Sequence, residues 1–517
     1  MKKLVYILFL FPIFLVAQNL IVEDDATLTI GTEATMTVVG TVNVSDTSGN
    51  EGALIIQTSR ANSGSLIAKA GGASQGKGIT FRRNLDHLQA DGSTMEWTLI
   101  GVPVTGEVSS DVHAGSLLKV KGSKNAIGHF NPALNNGEFQ YFNTADAISL
   151  TNGRGYLISP EATGSVDFTG PMSVADVTYN IADESGTYGN WNLIGNPFPS
   201  YLHMTDDSGE VTNNFLSVNT ASLDTGVYQA IYAWDGTNYD VYNQTTNVIN
   251  HIAPGEGFFV YSKTGGATVS FTEAMQTSGK GVNFNASVAR NDSRRVSVFK
   301  IELKDDLNKE SDNLKLYFSD RVTRGVDPGY DAGKFFLGSE SKIFSRLVEE
   351  DKGEDLQIQA LPYNDLKDVV VPLGITTKSP SLQLSIIENS IDHLYSIYLE
   401  DRLNNTIVEF DGSIDLIFED SSNGIGRFYL HFTEGIIPEL PTDGDEFRIF
   451  KVSNSELRLM GSPETNYNAK VYDFSGRLVR EVNFNHRVNI NEIDSKGINI
   501  LTIESKDKTL TKKFKLN

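Results

Sequence analysis

Lys470–Val482, "KVYDFSGRLVREV", followed by Gly497–Ser505, "GINILTIES", and Thr509–Asn517, "TLTKKFKLN", carries the reading of the fold. Apolar and polar residues alternate in short runs, the pattern of strands with one buried face. The break at Asp473-Phe474-Ser475-Gly476 is a turn, with Gly476 where positive φ is needed. Further runs at Phe447–Val452 and Glu456–Met460 bring the tail to six or seven strands in about seventy residues, enough for a small antiparallel sandwich. The tail is basic. Residues 451–517 hold 12 Lys+Arg against 8 Asp+Glu, a net charge of +4.

These blocks resemble the type A C-terminal sorting domain of the Bacteroidota type IX secretion system. That family has a Val-x-[Ile/Val]-Tyr-[Asp/Asn]-x-x-Gly-[Arg/Gln]-x-Val stretch, then a Gly-[Ile/Val]-Tyr strand, then a Thr-Lys-Lys ending. Tyr472, Asp473, Gly476, Arg477, Gly497, Lys512 and Lys513 fall on the pattern. Two positions depart from it. Val452-Ser453-Asn454 replaces the usual Pro-Asn-Pro opening, and Asn499 stands where a Tyr follows Gly-Ile. The resemblance implies that 447–517 directs passage across the outer membrane, with the type IX machinery as partner. It also implies tail removal and surface attachment.

The other terminus agrees. Met1-Lys2-Lys3 precedes an apolar run of thirteen residues, Leu4–Val16, broken only by Pro12, with Ala17 as a small residue for cleavage. Residues 1–17 are therefore expected to be a secretory signal peptide. The run is short of the ~20 residues a membrane span needs, so no transmembrane span is expected. There is no Cys in the chain, which excludes disulfides, thiol catalysis and N-terminal lipidation. A secreted or cell-surface location follows as the expectation.

The full chain of 517 residues carries a net charge of −22. Without Lys2 and Lys3 it carries −24, and with the tail at +4 the passenger is near −28. Such acidity argues against nucleic acid as a partner. Gly is 46, Pro 15, Phe 28, Tyr 19 and Trp 3, with no long helical periodicity. The class expected is all-β and multidomain.

Residues 18–80 are rich in Thr, Val, Gly and Ser. Short β runs at Thr27–Ile30, Thr35–Val39, Thr41–Val44, Ala53–Gln57 and Ser65–Ala68 suit the rungs of a solenoid, or a flexible stalk with nascent strands.

Two β modules follow, 81–180 and 181–285, and they are copies of each other. "EWTLIGVPVTG" (Glu96–Gly106) matches "NWNLIGNPFPS" (Asn190–Ser200), and "GRGYLIS" (Gly153–Ser159) matches "GEGFFVYS" (Gly255–Ser262). Three further blocks match in the same order: Ile127–Asn131 with Ile231–Asp235, Phe139–Asn143 with Tyr239–Asn243, and Ser165–Met172 with Thr268–Met275. Residues 293–435 hold about ten more β runs, among them Val296–Leu303, Asn313–Phe318 and Lys334–Leu337, enough for a β-sandwich or jelly roll. Residues 436–446, "IIPELPTDGDE", read as a linker. Several of these blocks also resemble uncharacterised, adhesin-like surface proteins of the Bacteroidota.

Catalytic motifs do not stand out. The eight His are scattered, without the spacing of a zinc site, and no nucleophile elbow or phosphate-binding loop is present. A carboxylate pair for glycoside hydrolysis stays open, because sequence cannot give its separation. Asp306, Asn308, Glu310 and Asp312 alternate oxygen ligands in the manner of a calcium loop, without its Gly and terminal acid. No other cofactor is implied.

The best ligand candidate is the hairpin "IYAWDGTNYDVYN". Tyr232 and Trp234 share a strand face, and Tyr239 and Tyr242 follow on the return strand, a pattern that suits stacking on a glycan or other extracellular polymer. Three functions are compatible with all this: a non-catalytic adhesin or polymer binder, a secreted polysaccharide hydrolase, and a structural surface component.

Overall fold

The computed structural model describes residues 15–514 apart from 48–51, 70–71, 86–96, 115–117, 135–136, 206–211, 237, 245–250, 280–283, 285–295, 308–309, 336, 349–352, 405, 419–421, 435–446, 454–455, 462–465, 486, 491–492, 494–497 and 507–508. The fold is multidomain and all-β, with helices of at most six residues among the described residues. The chain forms two compact units. One holds residues up to Ser293 together with Val326–Gly338, and the other holds Arg294–Gly325 and Ser339 onward.

The first unit begins as a three-sided parallel solenoid. Leu15–Ala17, Thr35–Val38 and Ser65–Ala68 stack on one side, and Leu20–Val22, Val42–Val44 and Ser74–Gly76 on the second. Thr27–Ile30, Ala53–Gln57 and Ile79–Leu85 form the third. Each coil alone buries little, but stacking lines up Val38, Val42, Val44, Leu54 and Ile56 as a dry aliphatic column, each at most 1% exposed. Residues 1–14 of the expected signal peptide lie outside the described residues.

The two copies share one topology. In the first, the strand order is Thr98–Gly101, Gly155–Ile158, Lys124–Asn131, with Glu138–Asn143 paired to the last. In the second it is Trp191–Gly195, Gly257–Tyr261, Ile231–Trp234, Tyr239–Tyr242. Each copy adds one antiparallel pair: Ile79–Leu85 with Gly164–Gly170, and Val177–Ile181 with Ala267–Phe271. The first of these pairs extends the third side of the solenoid. Solenoid and first copy therefore share one hydrophobic core, while the second copy has its own.

Where the copies meet, their contacts are reciprocal. The Gly101 N–H donates to the Gly255 carbonyl at 3.0 Å, and the equivalent Gly195 N–H donates to the Gly153 carbonyl at 3.0 Å. Isolated bridges Ile100–Glu256 and Ile194–Arg154 repeat the relation. A Cβ on Gly195 would lie 2.5 Å from the Gly101 Cα, and one on Gly257 would lie 2.7 Å from the Ile100 N and O. The duplicated glycines exist because two backbones cross there in van der Waals contact.

In the second unit, ten strands pair in the order Thr406–Glu409, Ser396–Asp401, Ser422–Thr433, Asp368–Thr377, Lys342–Ser345, Leu356–Pro362, Glu310–Ser319, Val296–Asp305, Ser381–Asn389, Ser413–Ile417. The ladder folds over on itself as a sandwich. Phe299 and Phe318 reach Phe432 on the facing layer, with ring centroids 5.4 and 4.9 Å apart. Lys334–Leu337, read above as a strand of this sandwich, is not one; the strand there is Ala332–Gly333, and the segment belongs to the first unit.

The tail has a separate core. Phe447–Ser453, Glu456–Gly461 and Arg487–Ile490 form one sheet; Leu478–Phe484, Tyr467–Tyr472, Asn499–Glu504 and Thr509–Phe514 form the other, in that order. Leu457, Leu459, Tyr467, Ala469, Val471, Leu501 and Ile503 fill the space between them. Alternation of burial along Tyr467–Tyr472 and Asn499–Glu504 is strict.

Candidate functional site

The turn Asp473–Arg477 is self-contained. Asp473 Oδ1 accepts from the Ser475 hydroxyl at 2.6 Å, the Ser475 N–H at 2.9 Å and the Arg477 N–H at 3.0 Å; Oδ2 accepts from Arg477 Nε at 2.9 Å. The Asp473 N–H donates to the Arg477 carbonyl and the Gly476 N–H to the Asp473 carbonyl, both at 3.0 Å. Gly476 sits at φ 83°, the left-handed conformation the turn requires. Asp is the residue whose short side chain reaches its own backbone two residues on. The Ser475 hydroxyl, then the N–H and guanidinium of Arg477 and the Ser475 N–H, hold the Asp473 carboxyl at about 2.

Three sequence-distant pieces meet at this end of the sheet. Tyr472 pairs with Leu478 on one side and with Ile500 on the other, and Ile500 pairs in turn with Lys513, Leu501 with Lys512. Tyr472, Asp473, Gly476, Arg477, Lys512 and Lys513 thus lie together, with Ile498 just ahead of the Asn499–Glu504 strand. Gly497 lies outside the described residues. Asn499, which stands where the resemblance has Tyr, is 1% exposed. Phe474, at the tip of the turn, is 81% exposed, and Leu478 and Ile498 are 45% and 53% exposed.

The aromatic hairpin is placed differently from its expectation as a stacking surface. Tyr232 and Trp234 do share a face, but Tyr232 on it is covered while Trp234 is half-buried. Tyr232 is completely buried, packed edge-on against Trp191 at 4.7 Å and stacked on Phe335 at 5.2 Å, with its hydroxyl donating to the Gly333 carbonyl at 3.0 Å. Tyr239 packs on Phe335 at 4.4 Å, and Trp234 donates Nε1 to the Trp97 carbonyl at 3.0 Å. Tyr242 is 5% exposed and stacks on Phe284. Burial pushes the phenols of Tyr232 and Tyr239 up. The covering residue, Phe335, arrives on 326–338, a segment tied down by Gly333 N–H to the Val227 carbonyl and Gln244 N–H to the Gly329 carbonyl, both 2.8 Å. Tyr232 and Tyr242 have no face left for a sugar ring.

Of the alternating oxygen ligands, Glu310 and Asp312 have partners elsewhere in the fold. Asp306 is exposed in the turn after Val296–Asp305, and Asn308 lies outside the described residues. Glu310 accepts from the Ser339 hydroxyl at 2.7 Å and the Glu340 N–H at 2.8 Å, and Asp312 accepts from the Ile343 N–H at 2.8 Å. These bonds tie Glu310 and Asp312 to residues 339–343. Among the described residues no group of three or more His, Asp or Glu side chains could hold a metal ion.

Two buried ionic clusters are structural in geometry. In the first unit Arg83 Nη2 meets Glu256 Oε1 at 2.9 Å, each side chain 3% exposed. In the second unit His431 Nε2 lies 2.7 Å from Glu400 Oε2, Arg402 Nε lies 3.1 Å from Glu400 Oε1, and the guanidinium covers the Tyr429 ring at 3.5 Å. Neither was visible in the sequence, because Arg83–Glu256 and Glu400–His431 join residues 173 and 31 positions apart. No helix among the described residues is long and apolar enough to cross a membrane.

Solved structures similar to parts of the chain include a two-domain fibronectin type III segment of chicken tenascin, 10% identical over 27% of this chain and 94% of that one, at a TM-score of 0.13. The FN1–FN3 domains of chicken CNTN1 are 9% identical over 44% of this chain and 97% of that one, at 0.12. A Parabacteroides merdae β-glucuronidase is 16% identical over 27% of each chain, at 0.09. No curated protein matches the sequence. A family described as "Domain of unknown function (DUF8693)" matches residues 13–432, ending one residue short of the last sandwich strand's end, and on that span the chain belongs to this family.

Proposed function

We propose that the chain is an exported protein delivered by type IX secretion, in which 447–517 is the address and the acidic β structure before it is the cargo. The observation that carries this reading is the meeting of Asp473–Arg477, Ile498 and Lys512–Lys513 at one end of one sheet. Residues that match the sorting pattern but lie up to forty positions apart come to one end of one sheet, as suits a recognition element. The tail's separate core supports the same division. On this reading residues 1–17 are a signal peptide, and the product is released or held at the cell surface.

The cargo is proposed to be a non-catalytic adhesin or polymer binder. Its buried carboxylates are committed to structural partners. Asp305 accepts from Ser341 and Ser379, Asp331 from the Asp327 N–H, Asp401 from Arg427 Nε and Nη2, and Glu256 from Arg83. A general acid or base must instead turn an oxygen toward substrate. The decisive measurement is fractionation of type IX-competent cells making the intact chain or one ending before Phe447. Display of the shortened chain at the level of the intact one would refute the address. A polysaccharide panel hydrolysed by the purified chain would refute the non-catalytic cargo.

A further inference from the structure

We infer that Phe474, Leu478 and Ile498 form an anchor that inserts into an apolar socket rimmed by carboxylates on a protein partner; this rests on the address reading above. Three observations lead there. Large apolar side chains on a folded surface are common singly, but an aromatic 81% exposed, with two further apolar residues at the same sheet end, is a patch. The backbone that carries Phe474 is held in place. Four bonds to the Asp473 carboxylate and two backbone bonds lock the turn, so the backbone ordering is prepaid before any partner arrives.

Charge selects the occupant. Arg477, with a side chain 80% exposed, and the exposed Lys513, opposite Ile500 at the same end of the sheet, give this end its cations. Asp473, the acid at the site, has both oxygens engaged within the turn. A socket with an apolar floor and an acidic rim complements this surface. An anionic bilayer shares that chemistry, but its field acts over many lipids on a chain of net charge −22 and repels it, whereas a rim acts only at the tip.

The test uses the full chain in a type IX-competent bacterium, read as the surface-displayed fraction. The arms are the intact chain, the chain ending before Phe447, Phe474→Ser, Phe474→Trp, Ile498→Ser and Lys513→Glu. An interface aromatic of this kind is expected to cost about thirty-fold in affinity when removed. Phe474→Ser and Ile498→Ser should therefore lose display, Lys513→Glu should reduce it, and Phe474→Trp should retain it, with the thermal unfolding of the purified variants unchanged. Full display of Phe474→Ser while the truncated chain fails overturns the anchor and leaves the address standing. Full display of the truncated chain overturns both. Two further results also overturn it in its stated form. One is purified chain that sediments with phosphatidylglycerol vesicles through Phe474. The other is purified chain that self-associates through Phe474, which would make the occupant a second copy.

Discussion

Removing Glu256 tests the first unit at its most expensive point. Glu256 and Arg83 are each 3% exposed on their side chains and 2.9 Å apart, and Arg83 Nε and Nη1 are buried with no other acceptor among the described residues. Glu256→Ala would leave a guanidinium sealed in protein with no counter-charge. Breaking a buried pair from one side costs about 3–5 kcal/mol, because the orphaned charge keeps its full desolvation penalty. That is a fall of roughly two to four orders of magnitude in the folding equilibrium. The reverse change, Arg83→Ala, strands a carboxyl that burial already pushes up, and it is relieved by protonation at acid pH. The double variant Arg83→Leu/Glu256→Leu should be more stable than either single one, since it removes both desolvation penalties. The assay is intrinsic fluorescence during denaturant unfolding of the full chain. All 3 Trp, at 97, 191 and 234, belong to the first unit, so the signal reports that unit alone. A Glu256→Ala cost below about 1 kcal/mol, the size of an exposed pair, would refute the claim that this charge is sealed. So would a double variant less stable than both singles.

Other outcomes follow from the same geometry. Gly195→Ala pushes a methyl to 2.5 Å from the Gly101 Cα and should cost about 1–3 kcal/mol or more, whereas Gly31→Ala, with nothing within 4 Å, should stay within about 0.5 kcal/mol; both are read by the same fluorescence. Phe335→Ala should destabilise the first unit by about 3–5 kcal/mol and shift the Trp191 emission, since the two rings are 4.6 Å apart. His129 and His251 both sit at about 4, lowered chiefly by burial and then by the charges of Arg154 and His203 respectively. Below about pH 6.5 the unfolded chain takes up protons that these folded imidazoles refuse. First-unit stability should therefore be full above that pH and decline toward pH 4, by at most about 1.4 kcal/mol per pH unit for each His and by less for the half-buried His129. Stability flat across this window by chemical denaturation would contradict the burial of His251.

Local features were the legible ones. Alternation in Tyr467–Tyr472 and Asn499–Glu504, the Asp473–Arg477 turn and the rungs of the solenoid are each encoded within a few residues. The duplication was legible for a different reason: two copies of one module must repeat their strands, and they do, down to strand order. Short polar strands escaped notice. Ser413–Ile417 buries one residue of five and carries little pattern, and Arg487–Ile490 is only four residues long. The aromatic hairpin misled because period two tells which residues share a face and nothing about what lies above it. Phe335, about a hundred residues away, covers Tyr232.

From the chain alone came the all-β class, the repeat, the turn chemistry, the acidic passenger and the basic tail, because backbone propensity, hydrophobic period and charge are properties of neighbours in sequence. Only the folded molecule decided which apolar faces are dry and which stay wet, why Gly101 and Gly195 must lack side chains, and which carboxylates are spent on Arg83 or on backbone N–H groups. Those depend on groups brought together from distant positions. The free energy of burial is set by the partner that arrives, and no local window of sequence names that partner.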